Sequence, residues 1–225
     1  MISILTLTYQ RYELLEEAIY SFLNQTHIED AEMVIINDSP EVKYRVNNKN
    51  VKIINCNKRF SSIGKKLEWG FTQCKGDIVY RLDDDDLLTP WALELQRYYH
   101  LQSPNSDIYR CRYHYFYLNN KYQGLSSSVN NGNSYKRDWV EKINIVDKSI
   151  GEDNWLTFEN NGRLYVGDNN KYSMIYRWGM GVYHISGMGN KPNEYIYQLT
   201  DMSNKEKGII DLNPQFKEEY WAQLL

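Results

Sequence analysis

Residues 77–88 combine two things that seldom stand side by side in a folded chain. Asp77-Ile78-Val79-Tyr80-Arg81-Leu82 has the character of a β-strand. It runs straight into Asp83-Asp84-Asp85-Asp86, and the apolar chain resumes at once with Leu87-Leu88-Thr89-Pro90. Adjacent like charges repel by ~0.5–1 kcal/mol or more per close pair in partly wet surroundings. A chain with a formal net charge of only −3 has little reason to keep four carboxylates together unless something positive sits there. A hard divalent cation is the natural candidate, because Mg2+ and Mn2+ prefer carboxylate oxygen. Taken alone, such a run would usually be only a charged turn after a strand. Its setting argues otherwise, since the carboxyl end of a buried strand is where open α/β sheets hold their ligands.

The chain ahead of this run alternates strand and helix. Ile2 to Leu7 reads as a strand buried on both faces, ending in Thr8-Tyr9-Gln10-Arg11. A helix is predicted from about Glu13 to Asn24, with Leu14, Leu15, Ala18, Ile19, Phe22 and Leu23 on one stripe and Glu13, Glu16 and Glu17 favouring its dipole. Met33–Asn37 and Val51–Asn55 are the next strands, the first ending at Asp38. A second helix spans about Ser62 to Cys74, and a third starts at Thr89-Pro90 as N-cap and first turn and runs to about Leu101. Short connections imply a parallel sheet with right-handed crossovers. Every strand end carries something polar: Thr8 and Arg11, Asp38, Lys58 and Arg59, then the aspartates. Such a rim suits a nucleotide.

The second half changes character. Asp107 to Leu118 reads as one long aromatic strand, followed by a hairpin-like turn at Asn119-Asn120-Lys121 and a loop over 126–134. Ser134 to Lys142 suggests a short strand and then a helix. Ile150 to Trp155 opens another helix with acids in its first turn, and Tyr172 to Ile185 reads as a strand ending at His184. The expected architecture is α/β: a mostly parallel nucleotide-binding half (1–101) fused to a smaller mixed acceptor lobe (102–190), with a tail (191–225), all in one domain. Cys56, Cys74 and Cys111 lack metal-knuckle spacing and read as reduced thiols of a cytosolic protein. No run approaches the ~20 apolar residues of a membrane span.

In order and spacing, several motifs resemble those of GT-A fold, family 2-like glycosyltransferases over about residues 1–190. Leu7-Thr8-Tyr9-Gln10-Arg11 is similar to the family's Pro-Thr-Tyr-Asn-Arg, with Leu7 and Gln10 departing from it. Ile36-Asn37-Asp38-Ser39 resembles Val-Asp-Asp-Gly-Ser, keeping the second acid. Ile63 to Glu68 with Lys75-Gly76-Asp77 resembles the helix leading to the DxD strand, and Leu82 to Asp86 with Pro90 the DxD motif itself. Gly151-Glu152-Asp153 looks like the acceptor-side ED motif.

The resemblance implies an inverting, metal-dependent transfer of a sugar from a nucleotide-sugar, UDP-sugar by expectation, to an acceptor hydroxyl. Asp85 would be the direct ligand of Mn2+ or Mg2+, with Asp83 at the metal, its water or the ribose, and His184 as third ligand. Asp84 would join the donor site. Asp38 would accept the imide N–H of uracil, Thr8 and Arg11 would meet base or ribose, and Lys65 and Lys66 the diphosphate. Asp153 would be the base, Glu152 its alternative, and Asn130–Asn133 would line the donor sugar or acceptor. Such a metal suits a diphosphate leaving group, whose departure builds negative charge. The acceptor is expected to be a glycan, with hydroxymethylated DNA in a phage-like setting as the alternative, read on Arg110, Arg112, Lys136 and Arg137 among the tyrosines. A nucleotidyltransferase would be expected to carry a Gly-rich loop after the first strand, where Thr8 to Arg11 stand. A non-catalytic sugar-nucleotide binder would not need Glu152-Asp153. The expected location is the cytoplasm of a bacterial or virus-infected cell. Oligomeric state is open.

Overall fold

A computed structural model describes residues 1–127, 130–168, 170–178 and 207–216, with residues 220, 222 and 224. The first half holds β1 (Ile2–Thr8), α1 (Tyr12–Leu23), β2 (Ala31–Asn37), β3 (Val42–Arg45), β4 (Val51–Asn55), α2 (Ile63–Phe71) and β5 (Ile78–Arg81). After the acidic run come β6 (Leu87–Leu88), α3 (Ala92–Gln102), β7 (Ile108–Cys111), β8 (Tyr113–Leu118), β9 (Lys121–Ser127), β10 (Ser134–Lys136) and α4 (Arg137–Val140). Then follow α5 (Glu152–Asn154), which runs on into a π-helical turn at Trp155–Glu159, β11 (Leu164–Gly167), β12 (Met174–Trp178) and β13 (Gly208–Asp211). Among the described residues no helix is long and apolar enough to cross a membrane.

The main sheet has seven strands in the order β11-β7-β10-β5-β1-β2-β4. Its β5-β1-β2-β4 part is parallel, so four carboxyl ends share one edge. From β1 the chain passes to β2 on one side, and β5 later joins on the other. That reversal opens a crevice at the carboxyl ends of β1 and β5, where Thr8 and the acidic run emerge. Alternation along β1 and β2 feeds two cores. Ile4, Ile35, Leu15, Ile19 and Phe22 pack on the α1 side, and Leu5, Val34, Ile36, Leu67 and Phe71 on the α2 side. The α2 helix starts where Ser62 Oγ accepts from Lys65 N at 3.1 Å, an N-cap.

The long aromatic strand expected over 107–118 is two strands in two sheets. β7 lies in the main sheet, and β8 lies in a four-stranded sheet ordered β6-β12-β8-β9. The break is Arg112. Its backbone N–H donates to Gly167 O at 3.0 Å, and its side chain pairs with Asp168 at 2.9 Å. Tyr109 and Cys111 therefore pack under α3 with Tyr99, whereas Tyr113 is exposed and Tyr117 is buried beside Tyr220. The turn after β8 forms as expected, with Asn119 and Asn120 at φ 49° and 63°, a left-handed conformation that asparagine tolerates. It leads into β9, which covers part of the expected loop. Of the strand expected over 172–185, residues 174–178 are β12, and the stretch from 179 lies outside the described residues.

Candidate active site

The acidic run is gripped from both sides. From the front, Arg11, just past β1, sets its guanidinium as a fork on Asp84, with Nε 3.2 Å from Oδ2 and Nη2 against Oδ1, while Nη1 donates to Asp85 Oδ2 at 2.8 Å. From behind, fully buried Arg177 of β12 donates its backbone N–H to Asp86 Oδ1 at 2.9 Å and its Nε to the Asp85 carbonyl. Arg177 Nη1 is anchored by Glu17 of α1 and by the Tyr220 hydroxyl. Asn131 Nδ2 spans Asp83 at 3.2 Å and Asp86 at 2.8 Å. Burial pushes the Asp84 carboxyl up to about 6 even against Arg11, and burial with Asp85 and Asp83 beside it pushes Asp86 well above the ordinary carboxylate range. Burial disfavours the Arg11 charge, yet Asp84, Asp85 and Asp83 raise its pKa overall.

Asp83, Asp85 and Asp86 each offer a carboxylate oxygen, all within 4.8 Å of one another. This is an all-oxygen, triply acidic set, the donor chemistry that hard divalent cations take. A cation there would also relieve the crowding of like charge that raises Asp86. Asp84 stands outside this set, in the grip of Arg11.

Asp38, at the end of β2, is buried. Its Oδ1 accepts from Lys66 Nζ at 2.5 Å and its Oδ2 from Phe60 N at 3.1 Å. Lys66 Nζ also donates to the Thr8 carbonyl at 2.7 Å. Lys65 and Lys66 were expected at a diphosphate. The Lys66 ammonium is instead committed inside the fold, because an unpaired ion there would be costly, and Lys65 pairs with Glu68 at 2.8 Å. Burial lowers the Lys66 pKa against the pull of Asp38. Beside this pair, the Arg59 guanidinium lies 4.2 Å from the centre of the Tyr9 ring.

The ED turn meets the acidic run through Arg81. Its Nε lies 3.3 Å from Asp83 Oδ1, and its Nη2 lies 3.1 Å from Glu152 Oε1. Glu152, the alternative base, is thus a buried counter-ion, its pKa raised by burial and only partly restrained by Arg81. Asp153 is half-buried and accepts from Asn154 N at 2.8 Å. Asn130 and Asn133 both receive Arg110, and Asn133 Nδ2 donates to Thr157 Oγ1 at 3.0 Å, so these amides brace the turn. The structure therefore gathers Arg11, Asp83, Asp84, Asp85 and Glu152 into one network, with Asp153 next to Glu152. Thr8, Asp38 and Lys66 form a second cluster at the ends of β1 and β2. His184 lies outside the described residues. Arg81, Arg177 and Glu17 were not singled out from the sequence as site residues, whereas Asp86 belongs to the acidic run whose direct ligand the sequence leaves open. Arg81 and Arg177 carried one usable signal, a cation inside an otherwise apolar strand.

Similarity to known proteins accords with this arrangement. The family model described as glycosyl transferase family 2 matches residues 3–155. The structure resembles that of residues 1–349 of TarS from S. aureus in complex with UDP-GlcNAc, at 16% identity and a TM-score of 0.66, covering 89% of this chain and 65% of that one. It also resembles the mannosyltransferase PcManGT from Pyrobaculum calidifontis in complex with GDP-Man and Mn2+, at 13% identity and a TM-score of 0.57, covering 78% and 56%. The chain thus spans less than two thirds of either relative, and at these identities the likeness is one of fold. None of the curated proteins matches the chain. With most of its length matched, and with a parallel sheet whose edge carries the acidic run, the chain belongs to glycosyl transferase family 2 and has the GT-A fold.

Proposed function

We propose that this chain transfers a sugar, with inversion, from a UDP-sugar to a hydroxyl of a glycan acceptor. The observation that carries the reading is the junction of two acidic motifs, Asp83–Asp86 and Glu152-Asp153, at one edge of the sheet through Arg81. Asp83 and Asp85, with Asp86 behind them, would hold Mn2+ or Mg2+. Bound there, the cation supplies Lewis-acid neutralisation of the charge that builds on a departing diphosphate. Asp38, fixed by Lys66, offers a carboxylate for the imide N–H of uracil, and Tyr9 with Arg59 offers a flat face beside it. Asp153 takes the proton of the acceptor hydroxyl as that oxygen attacks the anomeric carbon opposite the leaving nucleotide. Its partial exposure supports this role, as does the commitment of Glu152 to Arg81. A glycan fits better than DNA, because the four cations read for a DNA surface each have an acceptor within the fold, Arg137 lying 3.9 Å from Glu141. Arg110 serves Asn130 and Asn133, Arg112 pairs with Asp168, and Lys136 donates to the Pro104 carbonyl.

The test is a panel of sugar nucleotides with Mn2+ or Mg2+, scored by nucleotide released. Release from a UDP-sugar that stops on chelation is expected. No release from any donor with either cation would sink the reading.

A further inference from the structure

One basic side chain touches both acidic motifs. Arg81 ends β5 and is only 5% exposed. Its Nε faces Asp83 and its Nη2 faces Glu152, 71 residues further on. A second, uncharged route runs beside it. Arg81 N–H donates to the Asn133 carbonyl at 3.0 Å, Asn133 Nδ2 donates to Thr157 Oγ1, and Thr157 Oγ1 donates to the Asp153 carbonyl at 2.8 Å. The uncharged route fixes backbone to backbone. The ionic route fixes carboxylate to carboxylate. Asp83 is the partly exposed member of the acidic run, its side chain 30% open, and its two oxygens are oriented by Arg81 and Asn131. A buried ion pair kept for stability alone gains little over apolar side chains of the same size. This one joins the donor-side acid to the turn that bears the base.

We propose that Arg81 is a positioning residue that sets Asp83 and the Asp153-bearing turn at one fixed separation. The inference rests on the glycosyltransferase reading above. Neither Arg81 nor Glu152 takes part in bond making. Together they hold donor and acceptor sites in register, where a misplacement of 1 Å can cost about 100-fold in rate.

The test compares Arg81→Gln, Glu152→Gln, the double variant and Arg81→Lys. The denaturation midpoint is measured together with kcat and the donor KM at saturating Mn2+. Each single Gln variant should be less stable: Arg81→Gln leaves buried Glu152 without its ion-pair partner, and Glu152→Gln leaves buried Arg81 with Asp83 alone. The double variant should regain most of the midpoint lost in Arg81→Gln, short only of the Arg81–Asp83 contact. Its kcat should stay about 100-fold down, with KM changed much less. Arg81→Lys, which keeps charge without the fork, should recover stability but only part of kcat. A double variant that regains wild-type kcat along with its midpoint would overturn the inference, as would Arg81→Gln at full kcat. A wild-type chain that releases no nucleotide would overturn the functional reading and this inference with it. An active wild type with active variants would overturn the inference alone.

Discussion

The Lys66 ammonium lies 2.5 Å from the Asp38 carboxylate, and both side chains are buried at the ends of β1 and β2. Each charge is tolerated because of the other. Lys66→Met should leave Asp38 as an uncompensated buried carboxylate and cost about 3–5 kcal/mol. Asp38→Asn combined with Lys66→Met should recover most of that. Urea unfolding of wild type and the two variants checks it, and a Lys66→Met chain as stable as wild type would contradict the pairing.

Neighbouring aspartates should respond differently to the same change. Asp85→Asn removes a ligand from the cation set and should lower Mn2+-dependent nucleotide release by about 100-fold or more. Asp84→Asn removes the main partner of Arg11 but no member of that set. It should weaken folding and raise the half-saturating Mn2+ concentration by about 10-fold, the lower end of what loss of a group behind the ligands costs, with saturable Mn2+ dependence kept. A Mn2+ titration of both variants distinguishes them.

Removing the proposed base should separate chemistry from binding. Asp153→Asn should lower sugar transfer by about 100- to 10,000-fold, with UDP affinity unchanged by calorimetry. Equal losses in transfer and UDP binding would mean that Asp153 supports the donor site.

His114 should make the fold sensitive to acid. It is 2% exposed, packs edge-on to Tyr176 at 5.2 Å, and neither ring nitrogen has a hydrogen-bond partner among the described residues. Burial lowers its pKa to about 4. Between that value and the unfolded value near 6.5, the unfolded chain binds the extra proton. Stability from this group is therefore full above pH ~6.5 and falls as pH drops towards 4, by about 3 kcal/mol in all. His114→Phe should flatten this part of the pH–stability curve, measured against wild type to cancel the carboxylates.

Much of the nucleotide-binding half was legible because its signals are local. β1 and β4 announce themselves by Ile, Leu and Val runs, α2 by Ser62 and its apolar stripe, and the acidic run by charge alone. What stayed hidden depends on partners far away in sequence. Glu17 looks like an ordinary acid favouring a helix dipole, yet it is buried against Arg177 across 160 residues. Arg112 ends one strand and precedes another because Gly167 and Asp168 meet it, which alternation over 107–118 does not encode. The spare-looking Asn131 is legible only once the acids it spans are brought to it. The four aspartates likewise differ in direction, which their adjacency in sequence does not encode. Asp84 points into the Arg11 fork, while Asp83, Asp85 and Asp86 converge.

The braces on the acidic run also say something about how the protein comes into being. Arg11 reaches it across 73 residues, Asn131 across 45 and Arg177 across 91. Each closure costs chain entropy before it returns any contact energy. The run cannot take its working shape when β5 first pairs with β1, and must wait until β12 has docked. In a refolding experiment, secondary structure should thus return before Mn2+ affinity does, and the proposed cation site should be among the last features of the protein to form.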